Sequence, residues 1–444
     1  MSGVGALRRN LSLRDLVVYG LLFIGPLAPV GVFGVLDARA DGAVALVYVL
    51  ATTAMAFTAW SYAQMSREIP HAGSVFAYAS QGLGGPAGFL AGWLAMLDYL
   101  LIPSVAYLFS GIALHALVPS VPAWVFTVLA FVVTTALNLA GVSVAARVGL
   151  VVLVAEIVVF ALFVACAVAV LVAEGPSRPW SAPFAAVSRF DLGAVIGAIS
   201  IAVLSYLGFD AIASFAEESA GDSRQVGRAI LFCLSVAGLL FVAQTYLAGV
   251  LSSIPPADLA AHPERQGTAF YDVTRMEVAS WLATVLAATK AIGPAFSAMT
   301  GQAAAARLLF GMARDGRLPG ALAGVDPRHG VPRTSLLAVA ALTLLVSVWA
   351  ARRADGLDVL VSIVDVGALA AFTLLHASVV GYFVVRRKGK RRTAHVVVPV
   401  LGGLVTAWVL VAASTPARLV GLAWVALGLV VLAAGRRGPT VTSC

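Results

Sequence analysis

Two prolines, Pro26 and Pro29, stand inside an otherwise apolar run that extends from residue 15 to residue 36. A helix cannot pass smoothly through them, because each lacks an amide hydrogen and its ring clashes with the preceding turn. Gly25 and Gly31 flank them and make an unwound conformation cheap. In lipid, backbone groups freed by a break survive only when they are buried in protein or line a polar cavity. A broken helix within a membrane span is therefore a candidate binding site, and its recurrence in a second half of the chain points to a transporter.

That the run lies in a membrane follows from how little charge the chain has. Of 444 residues only 11% are charged and 61% are hydrophobic, with a mean hydropathy of +0.97. A soluble protein of this size needs far more charge to cover its surface. Apolar runs of about 20 residues dominate, and the roughly 10-residue alternation of a barrel is missing, so the class is an all-α integral membrane protein. The basic excess, net charge +8, sits between apolar spans and reads as a topology signal; no nucleic-acid partner is expected. Cys166, Cys233 and Cys444 form neither a paired framework nor a metal spacing, so neither metal nor cofactor is expected. After Arg8, Arg9 and Arg14 the apolar run continues without a small-residue cleavage pattern, which speaks against a cleaved leader.

About twelve transmembrane helices are expected. They cover residues 15–36, 42–65, 86–115, 121–141, 148–173, 192–217, 226–252, 278–313, 334–350, 357–385, 395–413 and 417–435. Placing the N-terminus in the cytoplasm leaves roughly 20 basic residues inside against about 8 outside. The inside set includes Arg67, Arg147, Arg224, Arg228, the cluster Arg307, Arg314, Arg317, Arg328 and Arg333, and the run from Arg386 to Arg392. Both termini are then cytoplasmic. Two connections on that side, residues 66–73 and 314–319, combine charge with Gly and Pro, and read from composition as turns and topology anchors.

The sixth run is interrupted too, by Ser205, Gly208 and Asp210. The second interruption falls five spans after the first, an odd offset, so the two broken helices cross in opposite directions. A 5+5 inverted repeat follows, with two further helices outside it. The expected divisions are a tail at 1–14, a first repeat at 15–173, an inverted second repeat at 191–386, two additional helices at 395–435 and a tail at 436–444. A lone proline or glycine usually does no more than kink a packed helix; matched interruptions in both halves argue for more.

Asp98, Glu156, Asp210, Lys290, Asp365 and His376 fall inside apolar spans. A charge at mid-bilayer costs at least about 2.5–3.5 kcal/mol on insertion scales, so each should pair, line a cavity or be neutral. Structural pairing between helices weighs about equally with function for any single member. Glu156 is the first choice for a proton carrier, with Lys290 as a partner of Glu156 or of Asp98. His376 reads as a boundary side chain toward the cytoplasmic end.

Several stretches carry a resemblance. They are residues 68–78, Gly92-Trp93 with Asp98-Tyr99, Leu207-Gly208-Phe209-Asp210-Ala211 followed by Ala216-Glu217-Glu218, and residues 306–319. Over nearly its whole length the chain resembles the amino acid–polyamine–organocation permeases. The resemblance implies a leucine-transporter-like core of ten helices, alternating access, and secondary active transport of small amino compounds. It places the substrate at the unwound parts of the first and sixth helices, on Ile24, Gly25, Ala28, Gly31, Ser205, Tyr206 and Gly208. Asp98 and Asp210, at similar depth, join that set. In proton-driven relatives a lysine of the fifth helix takes the place of a sodium ion. Counting from Arg147-Val148, that place falls on Glu156, a reversal of sign. With Lys290, Ser297 and Thr300 it makes up the expected coupling-ion set, for protons or, in the alternative, sodium.

The expected function is import of an amino acid or related amine across the plasma membrane, driven by protons. Pro26 and Pro29 donate no amide hydrogen to a carboxylate, so a polyamine or organic-amine importer, or an exchanger, is the alternative. A channel would carry rings of like charge or filter loops, and a membrane sensor a soluble output domain, neither of which is seen. No nucleophile–base–acid set points to an enzyme.

Overall fold

The computed structural model describes residues 9–118, 120–222, 224–353, 356–387, 393–411 and 415–435. Residues 1–8 of the expected N-terminal tail, the whole expected C-terminal tail, residues 388–392 and the side chain of Asp365 lie outside the described part. Among the described residues nine helices are long and apolar enough to cross a membrane, and three shorter apolar ones complete a series of twelve.

Span 1 is helical over Leu13–Ile24, opens at residues 25–27, and resumes as a 3-10 turn, Ala28–Gly31, and a short helix, Phe33–Arg39. Spans 2 to 5 are Val44–Glu68, Gly85–Leu117, Ala123–Leu139 and Val142–Glu174. Span 6 is helical over Leu192–Leu204, turns through residues 205–209, and continues as 3-10 turns over Asp210–Glu218. Spans 7 to 9 are Gln225–Leu251, Ser280–Arg314 and Arg333–Ala351. Span 10, Gly356–Val380, ends in a wide turn, Gly381–Arg386; spans 11 and 12 are Ala394–Val411 and Thr415–Gly435.

Local chemistry sets the starts of both broken spans. Ser12 and Asp15 form a reciprocal capping box, the Asp15 amide donating to Ser12 Oγ at 3.3 Å and the Ser12 amide to Asp15 Oδ2 at 2.9 Å. Asp191 caps span 6 by accepting from the Gly193 amide at 2.7 Å. The third and eighth spans pack along each other at the centre, the second pairs with the seventh, and the tenth lies against the third and eleventh. Large apolar side chains such as Leu239, Leu345 and Val172 point outward, 68–83% exposed. In water that much apolar surface would aggregate, whereas lipid covers it at no cost.

The twelfth span is fastened to the third by two indoles. Trp93 Nε1 donates to the Trp424 carbonyl at 2.8 Å and Trp424 Nε1 to the Trp93 carbonyl at 2.7 Å, with the rings stacked 4.7 Å apart. Each half-buried indole thus finds the acceptor it needs.

Three features differ from the sequence reading. Span 2 runs on to Glu68, and a separate helix, Val75–Gly82, precedes span 3 where only a connection was expected. Its sequence is as apolar as the spans, but eight residues are too few to cross. Between spans 7 and 8 the chain forms short helices, Pro256–Ala261 and Ala269–Val273, in a segment read as loop. His376 is no boundary side chain: it is buried, with Nδ1 3.0 Å from Ser61 Oγ and Nε2 3.2 Å from Thr58 Oγ1 of span 2.

Candidate functional site

The breaks in spans 1 and 6 meet. Gly25 closes the first helix with φ +75°, its amide still reaching the Leu21 carbonyl at 2.9 Å. Beyond it, Pro26 and Pro29 prevent resumption of the α-helical ladder. The carbonyls this frees are taken up by neighbouring helices: Gln244 Nε2 of span 7 donates to the Pro26 carbonyl at 3.0 Å, and Ser297 Oγ of span 8 to the Phe23 carbonyl at 2.5 Å. This is the substitution of partners that a break at membrane depth requires.

In span 6 the turn is held from within. Asp210 Oδ1 accepts from the Gly208 amide at 3.2 Å while its Oδ2 accepts from the Tyr99 hydroxyl of span 3 at 2.6 Å. An acid at the start of the second half-helix also suits the partial positive charge there. Gly208 has φ +119°, and a Cβ on it would lie 2.7 Å from the Phe23 ring. Gly208→Ala therefore combines backbone strain of about 1–2 kcal/mol with overpacking of about 1–3 kcal/mol. A lower thermal unfolding midpoint of the purified protein in detergent is the expected outcome, and an unchanged midpoint would remove the claim that the two breaks are in contact.

A cavity of about 340 Å³ opens between the breaks. Ile24, Gly25, Ala28 and Gly31 line it from span 1, Ser205 from span 6, Glu156 from span 5, and Lys290 and Ser297 from span 8. Its walls are otherwise largely apolar, including Phe23, Leu27, Ile102, Val105, Phe109 and Leu207. The remaining residues singled out from sequence lie elsewhere. Asp98 is buried where span 3 meets span 10, its amide close against Gly367. Tyr206 turns its hydroxyl to Thr52 Oγ1 of span 2, at 2.6 Å. Gly208 and Asp210 are occupied as described, and Thr300 bonds back to the Ser297 carbonyl of its own helix at 2.7 Å. Sequence reasoning missed Tyr271, which reaches the cavity from the connection between spans 7 and 8, and Gly293, which lies against the Glu156 carboxylate. Tyr271 sits outside every span, and nothing in its neighbourhood signals a site. Gly293, three residues after Lys290 and just before Pro294, could have been found by helical spacing.

The cavity is one-sided. Its lining runs from the middle of the spans toward the face away from the N-terminus, as at Phe109 and Ala113 of span 3, and its rim includes the exposed Phe109 and Gly267. The face that carries the N-terminus is sealed. There the buried Arg307 of span 8 grips the Glu218 carboxylate through Nε and Nη2, the latter at 3.0 Å, and stacks on Phe215 with Cζ 4.2 Å from the ring centre. The Glu218 carbonyl accepts from the Asn10 and Leu11 amides at 3.0 and 2.9 Å. Beside it, Arg314 bonds Glu217 and His71, and Glu217 Oε1 accepts from the Ala72 amide at 2.9 Å. The two connections read as turns thus converge on one cluster.

On the opposite face, buried Arg178 makes a two-pronged pair with Asp37 at 2.7 and 2.9 Å and also reaches Ser252 Oγ and the Ile254 carbonyl. Next to it Asp41 accepts from the Ser188 and Arg189 amides, both at 2.8 Å. Partial burial opposes ionisation of Asp41, but these donors outweigh it and hold the carboxyl below its ordinary range.

Two broken helices of opposite direction that share a buried cavity, closed on one face and reaching the other, define a carrier rather than a channel or an enzyme. Residues 16–439 match the family model described as amino acid permease, and the chain belongs to that family. It is 32% identical to the low-affinity putrescine importer PlaP of Escherichia coli (strain K12), over 96% of this chain and 93% of the relative. It is 28% identical to the branched-chain amino acid permease BcaP of Bacillus subtilis (strain 168), over 87% and 83% respectively. Identity to the methylthioribose transporter of the same organism is 29%, over 96% and 93%.

Proposed function

We propose that this permease imports a small amino acid with an apolar side chain across the plasma membrane, by alternating access and with its N-terminal face in the cytoplasm. The observation that carries the reading is the cavity at the paired breaks. It offers one acid and one base within largely apolar walls, in a volume of about 340 Å³ that a leucine-sized solute fits. The orientation is supported by the excess of basic residues in the connections on the N-terminal side.

Coupling to protons falls to carboxylates buried at the depth of the breaks, Glu156 and Asp210. A diamine is the second reading, favoured by the resemblance to a putrescine importer. Uptake of labelled leucine and putrescine into proteoliposomes, under an imposed pH gradient and separately under a sodium gradient, tests both. Saturable leucine accumulation with the outside acidic is expected. Glu156→Gln is expected to lower that accumulation roughly 5- to 150-fold, the span of a coupling free energy of about 1–3 kcal/mol. No gradient-driven uptake of either compound would sink the reading.

A further inference from the structure

Within the cavity, polar groups divide into those already engaged and those left open. The Ser205 hydroxyl lies 3.0 Å from that of Tyr48, and Ser297 is spent on the Phe23 carbonyl. Glu156 is different. Only 3% exposed, it lines the cavity, and its Oε2 has no hydrogen-bond partner. Lys290, half-buried, lines the same cavity from span 8. The two side chains are within electrostatic reach, yet among the described residues they do not come to ion-pair distance and the Lys290 ammonium makes no hydrogen bond. Gly293 makes room for this arrangement: any Cβ there would overlap Glu156 Oε1.

An acid and a base facing each other across a mostly apolar space, short of contact, is a costly arrangement. The Glu156 carboxyl has left water without gaining a partner, and the half-buried Lys290 stands beside it without one. We propose that Glu156 and Lys290 are the two halves of a split ion pair that a zwitterionic α-amino acid completes, its ammonium on Glu156 and its carboxylate on Lys290. Each half then gains a charge-assisted hydrogen bond, and the apolar side chain lies against Phe109, Ile102 and Val105. A diamine satisfies only Glu156 and sets its second ammonium against Lys290. The assignment rests on the cavity being the substrate site.

Three probes of one carbon skeleton test it: leucine, 3-methylbutylamine, which lacks the carboxylate, and 4-methylpentanoate, which lacks the ammonium. Affinities are measured calorimetrically on the detergent-purified protein without any gradient. Wild type is expected to bind leucine about 10- to 100-fold tighter than either analogue. Lys290→Met should weaken leucine to the level of 3-methylbutylamine without weakening the amine itself. Glu156→Gln should weaken leucine to the level of 4-methylpentanoate without weakening the acid. If a single variant fails to fold, as judged by thermal unfolding without ligand, the double variant Glu156→Gln/Lys290→Met, which leaves no lone charge, is expected to lose preference for leucine over both analogues. Equal weakening of leucine and 3-methylbutylamine by Lys290→Met, or a retained leucine preference in the double variant, overturns the split pair while leaving amino acid transport standing. Failure of wild type to bind any of the three overturns both.

Discussion

Arg307→Met should cost the folded carrier about 3–5 kcal/mol, because it strips the partner from a carboxylate that cannot return to water. Glu218 is 1% exposed and Arg307 3%, so neither has solvent to fall back on. The guanidinium also donates to the Ala303 carbonyl at 2.8 Å and covers the Phe215 ring. Methionine replaces some of that packing but none of the charge. Thermal unfolding in detergent should show a lowered midpoint, and adding Glu218→Gln to the Arg307→Met protein should recover most of it. Recovery discriminates the uncompensated charge from a loss of packing, which the second substitution would not repair. The same pair seals the N-terminal face, so a cysteine placed at Ala303 in the Arg307→Met protein should react faster with a membrane-impermeant maleimide applied from that side.

The second large effect lies at the other end of the molecule. Arg178→Met is expected to destabilise by a similar amount, about 3–5 kcal/mol, since Asp37 is 0% exposed and loses both prongs of its pair. Asp37→Asn in the Arg178→Met background should restore stability. A midpoint for Arg178→Met equal to that of wild type would show that the carboxylate is not held as described. Arg178 ties the outer part of span 1 to the connections before span 6 and after span 7, so cleavage by added protease in those connections should quicken in the single variant.

Much of the architecture was legible because membrane helices announce themselves by length and composition, and because Pro26, Pro29 and Gly208 are hard to place in a regular helix. The convergence of both breaks on one cavity followed from their opposite directions across the membrane. What could not be read were choices between partners. Asp98, Glu156 and Asp210 look alike as acids in apolar runs, yet only Glu156 lines the cavity, while Asp210 is spent on Gly208 and Tyr99. Nothing local separates them; the difference is made by side chains on other helices. The same holds for Thr300, which bonds its own helix although it lies only three residues from Ser297, and for His376, whose burial depends on Thr58 and Ser61 more than 300 residues away. The arginine clasps escaped notice for a related reason, since Arg178 and Arg307 have the composition of topology anchors.

Phe23 rests its ring on Gly208 of span 6 and on Gly301 of span 8 at once. A hinge motion in span 1 cannot leave that ring behind: it must drag the turn at Gly208 along or tear open a void against span 8. The two interrupted helices are thereby geared together by one aromatic tooth, and a solute that displaces either one moves the other.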